Sequence, residues 1–176
     1  MGVGTSASFT VRPAVPMGHV TGVPFVVALA LAEVMDARLS WPYDVTSPEG
    51  NPLARVRARA GYDDEGLFVT CEIAPAGEKD LDAGIEDAAR ARVDAWAADV
   101  AAGRAAAGPL APVLGNYFDA LLGMGGAVEV VRAGRVIARG TLAGVDVWGR
   151  ATVRLDNGTQ ELELAPEQAE LRPART

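Results

Sequence analysis

The sequence has little positive charge, little sulfur and little histidine. Its 176 residues include 16 Lys and Arg against 23 Asp and Glu, a net charge of −7, and Lys79 is the sole lysine. Neutralising phosphates with Lys and Arg supplies most of the affinity for nucleic acids, so we expect no DNA or RNA partner. The single cysteine, Cys71, excludes an intramolecular disulfide, and with His19 as the one histidine we expect no zinc cluster.

Long apolar runs are also missing. The longest one, from Val23 to Ala32, is shorter than the roughly 20 residues needed to cross a bilayer. The first residues lack the basic and then apolar layout of a secretory signal. We therefore expect no membrane partner and a cytoplasmic location.

The first 122 residues mix strand-like and helix-like patterns. A strand pattern covers 6–12, and an apolar stretch at 24–37 has the all-round hydrophobicity of a buried helix. Arginine alternates with valine and alanine over 54–60, which is typical of a half-buried strand, and a second strand at 67–73 completes a hairpin. The other predicted elements are a short strand at 38–41 and helices at 78–102 and 110–122, the last with Leu114, Phe118 and Leu121 as its apolar stripe.

The remaining residues predict an all-β unit. Gly123 to Gly126 is predicted to be a flexible linker, and Ala133-Gly134 and Asn157-Gly158 are strong two-residue hairpin signals. Short strands are predicted at 127–132, 135–142, 145–147, 150–155, 159–164 and 169–172. This spacing favours a small SH3-like barrel. The predicted domains are thus 1–122 and 127–176, joined by 123–126.

Two segments resemble motifs of one enzyme family. Ser40-Trp41-Pro42-Tyr43-Asp44 resembles the Lys-Trp-Pro-Asn-Asp signature of biotin protein ligases, and it follows a buried helix in the family's order and spacing. The segment from Gly140 to Gly149 is similar to the family's Gly-x-x-x-Gly-Ile-Asp-x-x-Gly, and Leu171-Arg172 resembles its closing Leu-Arg. The resemblance implies an α/β (α+β) fold of the biotin/lipoate ligase type, with a mixed sheet and helices, followed by the SH3-like barrel.

The resemblance also implies a chemistry that this sequence lacks the parts to perform. The family attaches biotin to a lysine through a biotinyl-adenylate made from ATP and magnesium. Its glycine- and arginine-rich loop should precede the first strand, where this sequence begins. In the signature, Ser40 replaces lysine and Tyr43 replaces asparagine. Where the family has Lys-x-Ala-Gly and Gly-x-Gly-x-Asn, the matching positions are Pro52, Arg55, Thr70, Glu72 and Ala74.

The candidate ligand pocket consists of Trp41, Pro42, Asp44, Arg55 and Arg57. Asp44 could bind magnesium, or it could cap the turn after Pro42. Trp41 could be a stacking platform, or a core or pocket-floor aromatic side chain. The arginines of 55–59 could grip an anionic ligand, or they could form a solvated face or an inter-subunit row of salt bridges.

Three functional hypotheses remain open. The leading one is a biotin protein ligase-like protein that has lost catalysis and acts as a binding, regulatory or complex-forming protein, with biotin or a related small acid as its possible ligand. The second is an active biotin or acyl ligase with a remodelled pocket, or with the missing loop supplied by a partner subunit; it would use biotin, ATP and magnesium. The third is a structural homodimer.

Overall fold

The computed structural model describes residues 4–174 and contains two five-stranded sheets. The first sheet has the order β1-β5-β4-β3-β2, and all its ladders are antiparallel. The α/β class is confirmed. The sheet was predicted to be mixed, but among the described residues its one parallel contact is an isolated bridge between Leu39 and Leu121. The strands are β1 (Ala7–Val11), β2 (Arg38–Ser40), β3 (Asp44–Thr46), β4 (Pro52–Asp63) and β5 (Gly66–Pro75).

Helix α1 (Val23–Val34) forms the centre of the core. Each residue from Val23 to Ala32 is buried, as the all-round apolar pattern predicts. Met17–Val34 is long and apolar enough to cross a membrane by length and composition alone, yet most of this stretch is buried inside the protein. Its first part, Met17–Gly22, is a 3-10 helix, in which His19 is half-buried and its ring Nε2 lies 3.0 Å from the Ala105 carbonyl oxygen.

Helix α2 (Ile85–Ala101) packs beside α1 and begins later than the sequence predicts. The predicted start at 78 was wrong, because Gly84 has a φ of +102° and the acidic residues before it are irregular. Its buried side chains are Ile85, Ala89, Val93 and Trp96.

Helix α3 (Leu114–Ala120) is shorter than predicted, and its buried face is different. Phe118 was expected in the apolar stripe, but it is 37% exposed. Tyr117 takes the core position instead, and its phenol donates a hydrogen bond to the Pro42 carbonyl at 2.6 Å. A buried tyrosine needs such a partner, and the hydrophobic pattern does not reveal one.

The second sheet follows the order β10-β6-β7-β8-β9. One long strand replaces the predicted pair at 135–142 and 145–147, with an irregularity between Leu142 and Gly144. The two-residue turn at Ala133-Gly134 is confirmed by positive φ values at both residues. The turn predicted at Asn157-Gly158 is a longer loop, because Leu155 pairs with Gln160. The strands are β6 (Ala127–Arg132), β7 (Arg135–Val145), β8 (Ala151–Leu155), β9 (Glu161–Leu164) and β10 (Glu170–Pro173).

Backbone hydrogen bonds connect the segments on either side of α3 to β2 and to the turn between β7 and β8. The backbone N–H of Leu110 donates to the Val147 carbonyl at 2.9 Å, and that of Leu122 donates to the Leu39 carbonyl at 2.8 Å. The segment 123–126, predicted to be flexible, is itself anchored to β7, since Gly125 donates to the Leu142 carbonyl at 2.8 Å. The tip of the β2–β3 hairpin meets the turn between β7 and β8 through the Trp41 indole N–H, which donates to the Gly149 carbonyl.

Candidate functional site

All five residues predicted for the pocket line one cleft between the two sheets. The cleft has a volume of about 560 Å³ and includes residues from β2, β3, β4, β5 and β10. We call it the inter-sheet cleft. Its predicted members are Trp41, Pro42, Asp44, Arg55 and Arg57.

Trp41 and Pro42 form part of the cleft wall and also hold the neighbouring elements. Trp41 is 2% exposed, and its indole N–H donates to the Gly149 carbonyl at 2.9 Å. The Trp41–Pro42 peptide is cis, and the Pro42 carbonyl accepts the bond from Tyr117. Trp41 therefore packs as a core and pocket-wall residue, and its polar edge is already satisfied by the second sheet.

Asp44 lies on β3 directly opposite Arg55 on β4. Its carboxylate Oδ1 is 3.5 Å from the Arg55 Nε, so among the described residues it pairs with a guanidinium and not with the turn backbone. Burial raises the pKa of Asp44 above the ordinary carboxyl value; Arg55 opposes this shift and Glu170 adds to it. Within residues 4–174, no three His, Cys, Asp or Glu side chains are grouped to hold a metal ion, and magnesium binding by Asp44 stays a prediction.

The arginine stripe covers the face of the first sheet that points away from α1. Arg55, Arg57 and Arg59 are exposed there, opposite Ala74, Glu72 and Thr70 on β5 in the strand register. In the part of the chain that the structure describes, no carboxylate lies within 4.0 Å of the Arg57 or Arg59 guanidinium. Arg57 is thus a cation at the cleft without a paired acid.

The second sheet supplies further charges through β10. Glu170 and Arg172 line the cleft and pair with each other at 3.1 Å. Together with Asp44, Arg55 and Arg57, they give the cleft three guanidinium groups and two carboxylates. The Leu171-Arg172 motif was the only sequence signal for this contribution, and it was not included among the predicted pocket residues.

Thr46 was missed at the sequence level and is the unusual polar group of the cleft. It is 5% exposed, and its Oγ1 has no hydrogen-bond partner among the described residues. The ladder between β3 and β4 shifts register between Val45 and Thr46, so the period-2 pattern does not predict where Thr46 points. Thr46 also lines a small apolar pocket of about 70 Å³ that adjoins the cleft and includes Leu122, Leu142 and Leu171.

Comparisons with known proteins identify the fold. No protein-family model matches the chain, and no curated protein matches it. A biotin protein ligase structure from Aquifex aeolicus superimposes with a TM-score of 0.65 at 16% identity, covering 96% of this chain and 82% of that one. An apo structure of biotin protein ligase from the same organism gives a TM-score of 0.64 at 18% identity, with the same coverage. A structure of that organism's biotin protein ligase in complex with biotin and ATP gives 0.59 at 18% identity, covering 96% of this chain and 78% of that one. The biotin protein ligase-like fold expected from the motifs is confirmed.

Proposed function

We propose that this chain binds a small organic acid in the inter-sheet cleft and does not form an adenylate. The observation that carries this proposal is the unpaired Arg57 in a cleft with three guanidinium groups and two carboxylates. Biotin, lipoate and octanoate are the acids to test first, because a biotin protein ligase of the same fold is described in complex with biotin and ATP.

Size and lining support a small acid. The cleft volume of about 560 Å³ lies within the range of about 300–1,000 Å³ that is usual for small-molecule sites. A carboxylate can accept charge-assisted hydrogen bonds from Arg57 at the mouth. The buried Thr46 hydroxyl offers a further hydrogen bond, and the adjoining apolar pocket can take the hydrocarbon part of the acid.

The open face of the first sheet is poorly suited to holding an adenylate. Arg55, Thr70 and Glu72 stand at positions where the resemblance implies glycine, and all three project from strands on this face. Their side chains keep a ligand from lying directly against the strand backbone. Ser40 supplies no cation where the resemblance implies lysine. Loss of a single donor that stabilises a developing charge commonly lowers a rate by ~10²–10³-fold.

Calorimetric titration with biotin, lipoate and octanoate tests binding, and Arg57→Ala is the variant that tests its site. Arg59→Ala is the matched control, since it removes the same charge from the same strand outside the cleft. We expect Arg57→Ala to weaken binding about tenfold or more, as loss of a charge-assisted pair would, and Arg59→Ala to change it little. Equal weakening by the two variants would mean that general charge, and not the cleft, attracts the acid.

An ATP–pyrophosphate exchange assay with each acid and magnesium tests the catalytic part. We expect no exchange above the rate without protein. Acid-dependent exchange would replace this proposal with the active-ligase hypothesis, and exchange only after a second chain is added would favour the partner-supplied loop.

We propose two domains, 1–122 and 127–176, in a cytoplasmic protein that pairs with itself or with a partner subunit. Sedimentation velocity over a wide concentration range tests self-association, and a monomer throughout would remove the homodimer.

A further inference from the structure

We propose that a second cavity, separate from the inter-sheet cleft, binds the alkylammonium group of an organic cation. This cavity has a volume of about 580 Å³. It lies between the start of α1, the tip of the β2–β3 hairpin, the outer half of β4 and the β7–β8 and β9–β10 loops of the second sheet. We call it the aromatic cavity; its aromatic and charged lining residues are Phe25, Tyr43, Trp148, Arg150 and Glu167.

Aromatic rings are concentrated in this cavity. The chain has ten Phe, Trp and Tyr residues, and Phe25, Tyr43 and Trp148 line the one cavity. Phe25 is 1% exposed and supports Tyr43, with 5.1 Å between the ring centroids, so the rings open to a ligand are those of Tyr43 and Trp148. Trp148 is 42% exposed, whereas Trp41 and Trp96 are almost fully buried. The faces of such rings attract cations, and cages of this composition recognise quaternary and methylated ammonium groups.

Carboxylates outnumber guanidinium groups around the aromatic cavity, whereas guanidinium groups outnumber carboxylates in the inter-sheet cleft. Its one basic lining residue, among those described, is Arg150, and two carboxylates already hold that guanidinium: Asp146 at 2.7 Å and Glu163 at 3.2 Å. Glu167 is exposed, and within residues 4–174 no Lys, Arg or His nitrogen lies within 4.0 Å of its carboxylate. The cavity therefore offers the rings of Tyr43 and Trp148 and an unpaired carboxylate, which suit a cation and disfavour an anion.

Nearby carboxylates also act on the phenol of Tyr43. Burial raises the pKa of the Tyr43 phenol, and the carboxylates of Asp44 and Glu167 raise it further. The phenol is thus neutral throughout the physiological pH range, and the face of its ring carries a partial negative charge. Small side chains complete the cavity, since Ala58 and Ala60 line the β4 side and leave its volume open.

An alkylammonium group could come from a free amine or from a lysine side chain of a protein. Tetramethylammonium and butylammonium probe the shared chemistry, and neopentyl alcohol is the neutral control for tetramethylammonium. Nα-acetyl-lysine-N-methylamide, whose side-chain amine is free, represents a lysine of a protein, and choline represents a small free cation. The one that binds more tightly identifies the source.

The readout is the indole N–H signal of Trp148 in ¹H–¹⁵N spectra of the full chain. Trp41 and Trp96 donate their indole N–H groups to the Gly149 and Pro109 carbonyls, so their two signals serve as internal references. We expect the Trp148 signal to shift and saturate at millimolar cation, with at least about fivefold weaker binding of neopentyl alcohol. Trp148→Leu removes the reporting signal, so cation binding by this variant is followed by calorimetry. That binding should fall below detection.

Glu167→Gln should weaken cation binding by about threefold or more, and Glu78→Gln, which removes an equal charge outside the cavity, should leave it unchanged. Arg57→Ala should also leave it unchanged, which separates this site from the acid-binding cleft. A Trp148 signal that does not move, equal binding of the neutral alcohol, or equal effects of Glu167→Gln and Glu78→Gln would each overturn the proposal.

Discussion

Gly149→Ala is the sharpest perturbation of the contact between the two sheets. Gly149 lies in the turn between β7 and β8 with a φ of +82°, and its carbonyl accepts the Trp41 indole N–H. A methyl group on its α-carbon would collide with the ring of Phe25, the side chain at the start of α1. The substitution therefore combines backbone strain with overpacking at one position.

The two costs can be estimated separately. Placing a non-glycine residue at this φ costs about 1 kcal/mol, and forcing a methyl group into a packed core costs about 1–3 kcal/mol. The expected loss in the free energy of unfolding is about 2–4 kcal/mol. For a chain of this size, that loss lowers Tm by about 5–15 °C.

Two other glycines isolate the terms. Gly134 has a φ of +76° with open space around its α-carbon, so Gly134→Ala should show the strain alone, about 1 kcal/mol. Gly144 has open space and no positive φ, so Gly144→Ala should be nearly neutral. Urea titrations and calorimetric melts of the three variants measure the differences. If Gly149→Ala loses no more stability than Gly134→Ala, the inferred packing of Phe25 against the second sheet is wrong.

Four other substitutions or titrations follow from the structure. Burial raises the pKa of Cys71 to about 11, so a thiol reagent at pH 8 should label it only on unfolding. The free energy of unfolding should fall as pH rises from about 9 towards 11, because the thiol ionises in the unfolded chain before it does in the folded one. Trp41→Phe leaves the Gly149 carbonyl without its indole donor and should lower the unfolding free energy by about 1–3 kcal/mol in urea titrations. Thr46→Val removes a buried unpartnered hydroxyl and should raise that free energy by about 1 kcal/mol, while weakening binding of the acid in calorimetry. Because the pKa of Asp44 is raised, its carboxylate becomes neutral as pH falls, and affinity for the acid should then increase. In Asp44→Asn, affinity at neutral pH should be higher than in the unmodified protein. The part of the pH response that depends on Asp44 should disappear in this variant.

The five residues named from the sequence line one cleft because they lie on neighbouring strands and on the turn between β2 and β3; ligand binding there stays a prediction. Alternation placed Arg55 and Arg57 on one exposed face, and the Trp-Pro-x-Asp signature placed Asp44 one strand away, so the pairing of β3 with β4 brought them together. These contacts depend on which side chains of adjacent strands share a face, and the alternation of polar and apolar residues in the sequence predicts that.

The residues that the sequence missed depend on contacts that periodicity does not describe. Thr46 follows a register shift, so its orientation departs from the alternation. Tyr117 displaced Phe118 from the core because a carbonyl 75 positions away in the chain accepts its phenol hydrogen bond. The aromatic cavity was missed for the same reason, since Phe25, Tyr43 and Trp148 are distant in the sequence and meet only where the two sheets touch.

The bond between Trp41 and Gly149 has a consequence for how the protein melts. It joins the two sheets through a buried donor, and breaking it without other rearrangement would leave an indole N–H unpaired in an apolar setting. Separation of the two sheets would cost this bond and expose the Trp41 side chain, which the native core buries. We expect a single cooperative thermal transition, with calorimetric and van't Hoff enthalpies equal, instead of stepwise melting of two independent units.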